Sequence, residues 1–347
     1  MVLTGEARMT DTGAKPRRSR LSDVARLAGV STMTVVRVLR DPAKVAEKTR
    51  ARVEAVIRKT NYTPDLMARG LASNRSGIVA VVVPLLTNSL IAEIVQGLSE
   101  GLADGDLQLL AGASGFSAEQ EGALVRTFLS RRVEAIYLSG SSRTPATRSL
   151  LKAAGIPVVE GGTLPTKPID MVVGFSNVEA AATATRHLIT RNDGPIGYIG
   201  AYPKDNDRAR DRRLGFEMAM ATAGIPVSPD LCVETTLDIP GGSRAMASLL
   251  ERRPDVRAVF VSADAMAVGA LFECQRRGMS VPGQIAIAGF DDLDIAGQVV
   301  PALTTIRVPR YAIGREAARM IRERLAGHIV EPKVVDLGFE LLVRDSA

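Results

Sequence analysis

The hydrophobic pattern of this chain changes character near residue 77. Before that point apolar residues recur at helical spacing in short runs. Leu21, Val24, Ala25 and Ala28 share one face of a first helix, with Ser22 placed to cap it and Asp23 inside its first turn. Gly29 ends that helix and supplies the backbone freedom of a turn. Ser31 can cap a second helix, whose Val35, Val38 and Leu39 face back to the first while Thr32, Met33, Val36 and Arg37 point outward. A third helix, Thr49 to Lys59, puts Val53, Val56 and Ile57 on one face and Arg and Lys on the other. Asn61-Tyr62-Thr63-Pro64 breaks it, and DLMARGLASNRSG adds a short helical segment that runs into a Ser/Asn/Gly linker, read here as a hinge. Two helices around a tight turn, the second exposed and neutral to basic, suit the major groove of DNA, although a plain helical hairpin in a core has the same pattern.

From Ile78 onward the period is that of alternating strands and helices. IVAVVVP (78–84) is a continuous β-branched run, as in a strand buried on both faces of a parallel sheet. Helical patterns at 90–103, 117–130 and 145–154 then alternate with LQLLAG (107–112), VEAIYLSG (133–140) and IPVVEG (156–161). A second set opens at MVVGF (171–175) and continues through PIGYIG (195–200), LCVET (231–235), VRAVFVS (256–262) and IAIAGF (285–290). Its helices fall at 177–190, 207–223, 242–252 and 264–277. The expected fold is an all-α helix-turn-helix head joined to an α/β body of two doubly wound Rossmann-like lobes. Ligands of such sheets sit at the carboxyl ends of the strands, so the natural site is the cleft between the lobes.

Charge sharpens the division. Residues 1–76 hold 16 Lys and Arg against 7 Asp and Glu, whereas the rest of the 347 residues hold 28 against 31. A basic head on a slightly acidic body is the footprint of a nucleic-acid binder with a separate sensing or catalytic body. Residues 1–19, which include KPRRSR, read as a disordered basic arm. They contain no apolar signal region, and no apolar run reaches the roughly 20 residues of a membrane span, so a cytoplasmic protein is expected. Cys232 and Cys274 lie far apart, without metal or redox spacing, and no His/Cys/Asp cluster suggests a metal. The chain has no G-x-G-x-x-G, P-loop or G-x-S-x-G, and Gly112-Ala-Ser-Gly115 is followed by Phe116 where a nucleophile elbow needs glycine. Neither an enzyme nor a bound cofactor is expected.

The blocks LSDVARLAGVSTMTVVRVL and KTNYTPDLMARGLASNRSGIVAVVVP, then VGFSN, RRLGF, SADAMAVGAL, VPGQIAIAGFDD and PALTTIRVP, resemble the lactose-repressor (LacI/GalR) family of transcriptional regulators. MTVVRVLR, TNSLIAEIVQGLSEGL, AGIPVVE, PIDMVVGFSN and FECQRRG look most like its gluconate-repressor branch. The resemblance implies a DNA-binding domain at 20–64, a hinge helix and linker at 65–76, and an effector-binding domain of periplasmic-binding-protein type at 77–347. Within that domain, 77–172 and 304–332 are expected in one lobe, and 173–303 and 333–347 in the other. Thr32 and Met33 would then meet base edges, Ser22, Ser31, Thr34 and Arg37 would contact phosphates or support docking, and Tyr62 would lie near the backbone. Leu71 would wedge into the minor groove of a near-palindromic operator.

For the effector, Arg212 matches an arginine that holds ligand in many members, Asp291 a carboxylate that accepts ligand hydroxyls, and Asp264 an aspartate of the same site. Ser89, Ser139 and Glu160 would face the cleft from the opposite lobe, and Arg143 and Arg212 could pair with a ligand carboxylate. Four departures stand out. Val36 replaces a usual serine, Asp65 a frequent asparagine, Ala263 an expected asparagine, and Ile239 the stacking aromatic of some members. The last disfavours a purine and leaves a small sugar or sugar acid. The terminal FELLVRDSA carries no leucine heptad, so a homodimer is expected. The competing reading is a constitutive DNA-binding regulator with a degenerate effector site, motivated by Ala263 and Ile239.

Overall fold

A computed structural model of the chain describes residues 19–63, 76–86, 89–103 and 107–347. These form two units, one ending before Ser76 and one from Ser76 to Ala347. Asp65, Leu71 and the hinge assigned around them lie outside the described residues, as does the arm up to residue 18.

Among the described residues the first unit holds three α-helices: α1 (Leu21–Ala28), α2 (Thr32–Arg40) and α3 (Glu47–Thr60). Its core is small and made of slender side chains. Val24, Ala25, Ala28, Val35, Val38 and Val53 are buried, ringed by Leu21, Val30, Val45, Val56, Ile57 and Tyr62. A core with so little apolar area makes the end caps count. Ser22 is not the cap of α1. The cap position is Arg20, two residues earlier, and its amide donates to Asp23 Oδ2 at 3.0 Å. Gly29 closes α1 at φ 60°, a left-handed conformation that glycine adopts without steric cost. Leu39, expected to face inward, is instead exposed, because Val35 and Val38 already fill the narrow seam.

The second unit contains two six-stranded sheets, each flanked by helices. The first lobe carries β1 (Ile78–Val83), α4 (Ser89–Leu102), β2 (Gln108–Ala113), α5 (Ala118–Ser130), β3 (Ala135–Ser139), α6 (Pro145–Ala153), β4 (Val158–Gly161) and β5 (Met171–Gly174). The second carries α7 (Asn177–Arg191), β6 (Ile196–Ala201), α8 (Asp207–Thr222), β7 (Cys232–Thr235), α9 (Ile239–Arg252), β8 (Ala258–Val261), α10 (Asp264–Arg276), β9 (Ala286–Asp291) and β10 (Thr304–Arg307). The chain then returns through α11 (Arg310–Leu325) and β11 (Val334–Asp336) to the first lobe and ends with β12 (Glu340–Leu342) in the second. Strand orders are β11-β5-β4-β3-β1-β2 and β12-β10-β9-β8-β6-β7, with every pairing parallel except β10 with β12.

Two boundaries differ from the sequence reading. Met171–Gly174 pairs with β4 and β11 and so belongs to the first sheet rather than opening the second. The connection from β4, residues 162–170, contains no helix, which removes the usual sign that two parallel strands share a sheet. Thr304–Arg307 pairs with β9 and β12 in the second sheet, and Val334–Asp336 with β5 in the first, so the chain crosses between lobes three times. Close helix packing completes each lobe. A Cβ at Gly97 would strike the Tyr311 carbonyl and one at Gly314 the Ile94 carbonyl, so α4 and α11 meet backbone to backbone.

Candidate functional site

The head presents the amino-terminal half of α2 to solvent. Ser31 Oγ accepts from the Thr34 amide at 3.1 Å and shares a 2.9 Å hydrogen bond with the Thr34 hydroxyl, so the two residues fix the helix start. Thr32, Met33, Val36 and Arg37 are all exposed, with Met33 66% accessible. Arg37 forms no ion pair among the described residues, which leaves its guanidinium available to an anion. Ser22 is exposed on α1, and Tyr62 is half-buried against the head core. An apolar side chain and a short hydroxyl at the tip of a helix, flanked by an unpaired arginine, have the chemistry of a base-reading surface beside a phosphate contact.

In the second unit the carboxyl ends of the strands carry two arginine–carboxylate clusters. On the second lobe, Arg212 from α8 is 8% exposed. Its Nε donates to Asn177 Oδ1 at 3.0 Å, its Nη1 to the Ser262 carbonyl at 2.7 Å, and its guanidinium lies 3.7 Å over the Phe290 ring. Nη2 forms an ion pair of 3.2 Å with Asp291 Oδ1 at the end of β9. That oxygen is buried and has no hydrogen bond of normal geometry. Burial raises the pKa of Asp291, with Arg212, Arg310 and Arg208 pulling the other way. Arg310, the first residue of α11, pairs with Glu93 at 3.1 Å, yet its Nη1 is buried without a partner. Two opposite charges thus keep unfilled hydrogen-bonding capacity at the second crossover between lobes.

Asp264, expected at the ligand, is fully buried. Its Oδ1 accepts from Thr305 Oγ1 at 2.7 Å and its Oδ2 from the Leu293 amide at 2.8 Å. Burial, helped by the charge of Asp291, pushes its pKa up to about 7. It ties α10 to β10 and to the turn after β9, and both its oxygens are engaged by protein. Ala263 occupies the buried cap position of α10 without a side-chain cap, and Ile239 stands half-exposed as the first residue of α9.

On the first lobe, the Arg143 side chain is 1% exposed and wholly engaged. Its Nε donates to Glu121 Oε1 at 3.0 Å, its Nη2 to the Gly140 carbonyl at 2.7 Å, and its Nη1 to Glu160. Glu160 Oε2 in turn accepts from the Ile169 amide at 2.7 Å. Burial raises the pKa of Glu121, against the pull of Arg143. Arg143 and Glu160 are therefore partners of each other rather than free ligand groups. Ser89 is exposed at the start of α4, and Ser139, at the end of β3, accepts from Arg208 Nη1 at 2.7 Å.

That last bond belongs to a set of contacts across the cleft that the sequence reading missed. Asp207 Oδ2 accepts from both the amide and the hydroxyl of Ser141, at 2.7 and 2.8 Å, and Arg210 Nη2 donates to Ser142 Oγ at 2.6 Å. Burial works against the Asp207 charge, but Arg208 and the Ser141 bonds outweigh it and hold the carboxyl below its ordinary pKa. The run DRARDRR looks in sequence like a solvated helix face, and only the facing lobe turns it into a seam. Ser114, Ser117, Ser139, Asp207 and Arg208 line a small polar pocket beside this seam. Among the described residues no group of side chains is arranged to hold a metal, and no helix is long and apolar enough to cross a membrane.

Residues 20–65 match the family model described as bacterial regulatory proteins, lacI family, and residues 185–347 match the periplasmic binding protein-like domain. The chain is 37% identical to the HTH-type transcriptional regulator GntR of Pseudomonas aeruginosa, covering 100% of both chains. It is 34% identical to the regulator of the same name from Escherichia coli, covering 94% of this chain and 98% of that one. A crystal structure of a LacI-family transcriptional regulator from Silicibacter pomeroyi superposes with a TM-score of 0.88 at 32% identity, over 94% of this chain and 99% of the other. Named relatives of this kind are regulators rather than enzymes. With its exposed recognition helix and two-lobed body, the chain belongs to the lacI family of bacterial regulatory proteins and is a DNA-binding transcriptional regulator.

Proposed function

We propose that the chain is a repressor that binds a near-palindromic operator as a homodimer and is controlled by a small sugar acid or sugar in the cleft between its lobes. The observation that carries the effector half is the pair of unfilled buried atoms, Asp291 Oδ1 and Arg310 Nη1. Buried polar groups are hydrogen-bonded as a rule, so a buried acceptor held only by the Arg212 ion pair and a buried donor without a partner call for a ligand bearing both functions. A sugar acid brings hydroxyl donors for Asp291 and a carboxylate for the arginines. Kinship with regulators named GntR supports gluconate as the first compound to try.

On DNA, Thr32 and Met33 read base edges, Ser22, Ser31, Thr34 and Arg37 dock on phosphates, Tyr62 lies near the backbone, and Leu71 wedges into the minor groove. Two-fold symmetry of the dimer then demands two half-sites. Effector binding changes lobe closure and thereby the operator affinity. A thermal-shift screen with gluconate, other aldonates, hexoses and purines, followed by operator titration with any stabilising compound, tests this. The expected result is a raised melting temperature and an altered operator affinity with an aldonate or sugar. Tight operator binding indifferent to every compound would instead establish the constitutive regulator.

A further inference from the structure

The turn that delivers Asp291 to the cleft is strained. Asp291 has φ 113° and Asp292 φ 54°, two successive non-glycine residues in backbone conformations that L side chains rarely adopt. Such strain persists only where the surroundings over-determine it. Three contacts do so here. Arg307 Nε donates to Asp292 Oδ2 at 2.8 Å, Arg344 Nη2 donates to Asp292 Oδ1 at 2.7 Å, and the next amide, Leu293, is held by Asp264 at 2.8 Å. The two arginines are themselves anchored, Arg344 through its Nη1 to the Leu303 carbonyl at 3.0 Å and Arg307 by an ion pair of 3.3 Å with Glu340.

We infer that Asp292, gripped by Arg307 and Arg344, is a positioning residue that sets the Asp291 carboxylate in the cleft and thereby governs effector affinity without touching the effector. Each oxygen of Asp292 serves one guanidinium, so an amide at this position can keep only one of the two bonds. Released on one side, the turn relaxes toward ordinary backbone angles and carries Asp291 away from Arg212. Arg307 ends β10 beside the second crossover, and Arg344 follows β12, so the grip joins the cleft turn to the second-sheet strands at the second and third crossings between lobes.

The inference rests on the effector reading above, and two measurements keep the two separable. The first is calorimetric titration of the intact protein, Asp292→Asn, Arg344→Gln and Arg344→Lys with gluconate. Asp292→Asn and Arg344→Gln are expected to weaken binding by about tenfold or more, the cost of a charge-assisted hydrogen bond, while both keep a cooperative unfolding transition well above the titration temperature. Arg344→Lys, which keeps one bond to Asp292, should recover most of that loss. The second is hydrogen exchange of the peptide spanning residues 289–294 in unliganded protein, expected to be faster in Asp292→Asn than in the parent. Parent-like gluconate affinity in Asp292→Asn overturns the inference. If the parent itself ignores gluconate, the sugar-acid reading falls, and the exchange rate alone decides: acceleration supports the grip, and an unchanged rate overturns it.

Discussion

Each lobe places an arginine and carboxylates near the carboxyl ends of its strands, and the two clusters are satisfied in opposite ways. On the first lobe Arg143 spends its donors on Glu121, Glu160 and the Gly140 carbonyl, and Glu160 also receives the Ile169 amide. On the second, Arg212 leans on Asn177, Ser262 and Phe290 while Asp291 keeps an oxygen without a proper hydrogen bond, and Arg310, at the start of the helix that returns to the first lobe, keeps a buried nitrogen without a partner. A closed network of this kind holds a fold together, because every charge is already answered. An open one has room for a ligand to complete the count, which is the basis of the effector site proposed above. Composition does not separate them, since both read as arginine facing acid. The inventory of partners does.

The comparison can be broken in several places. Arg143→Met leaves Glu121 and Glu160 buried without their cation and is expected to destabilise the body by about 3–5 kcal/mol, read from the shift in a urea unfolding curve. If that variant keeps its stability and loses only effector affinity, the first-lobe cluster is a ligand site and the contrast fails. Asp264 gives the next largest effect. Its pKa of about 7 in the folded chain exceeds its ordinary value of 3.8, so the folded form binds the extra proton. The associated stability is complete below about pH 4 and is lost as pH rises through 7, by up to about 4 kcal/mol. Asp264→Asn, whose amide can serve the same two partners, should flatten this dependence when unfolding is compared at pH 5 and pH 8.

Asp291→Asn should lower affinity for the effector by about a hundredfold at a stability cost of only about 1–2 kcal/mol, because Arg212 keeps its other contacts. Calorimetric titration beside an unfolding curve separates the two numbers. A stability loss as large as that of Arg143→Met would erase the difference between the lobes. Ser141→Ala is expected to do least. It removes one of two bonds to Asp207 across the cleft, worth about 1 kcal/mol of closed conformation, and should weaken effector binding about fivefold in the same titration.

The head was legible because its signals are local. Gly29 at the turn, Ser31 at the cap, and the inward Val35 and Val38 follow from spacing along ten residues, and the structure places each as expected. Leu39 departs from its spacing and is exposed because how many apolar residues a seam can absorb depends on the width of the partner helices. Alternation of β-branched runs and helical periods announced two parallel sheets, yet Met171–Gly174 and Thr304–Arg307 went to the wrong lobes. A strand's own residues record that it is buried but not beside which neighbour. In the cleft, the motifs pointed to Arg212 and Asp291, which the structure brings together as an ion pair, whereas Arg143, Glu160 and Asp264, expected at a ligand, are already answered by protein atoms. Asp207, Arg208, Arg210 and Arg310 carry no such signal because each acts on a partner more than 60 residues away.

By itself, then, the sequence determined the elements and the class of molecule. Helical and strand periods, caps and the basic head depend on short-range sterics and on charge sums, which one dimension records in full. The tertiary structure alone decided which lobe each late strand joins, which charges are spent on each other and which remain open in the cleft. Those outcomes depend on the distance between residues far apart in the chain and on the desolvation that accompanies their burial, and neither quantity exists until the fold has formed.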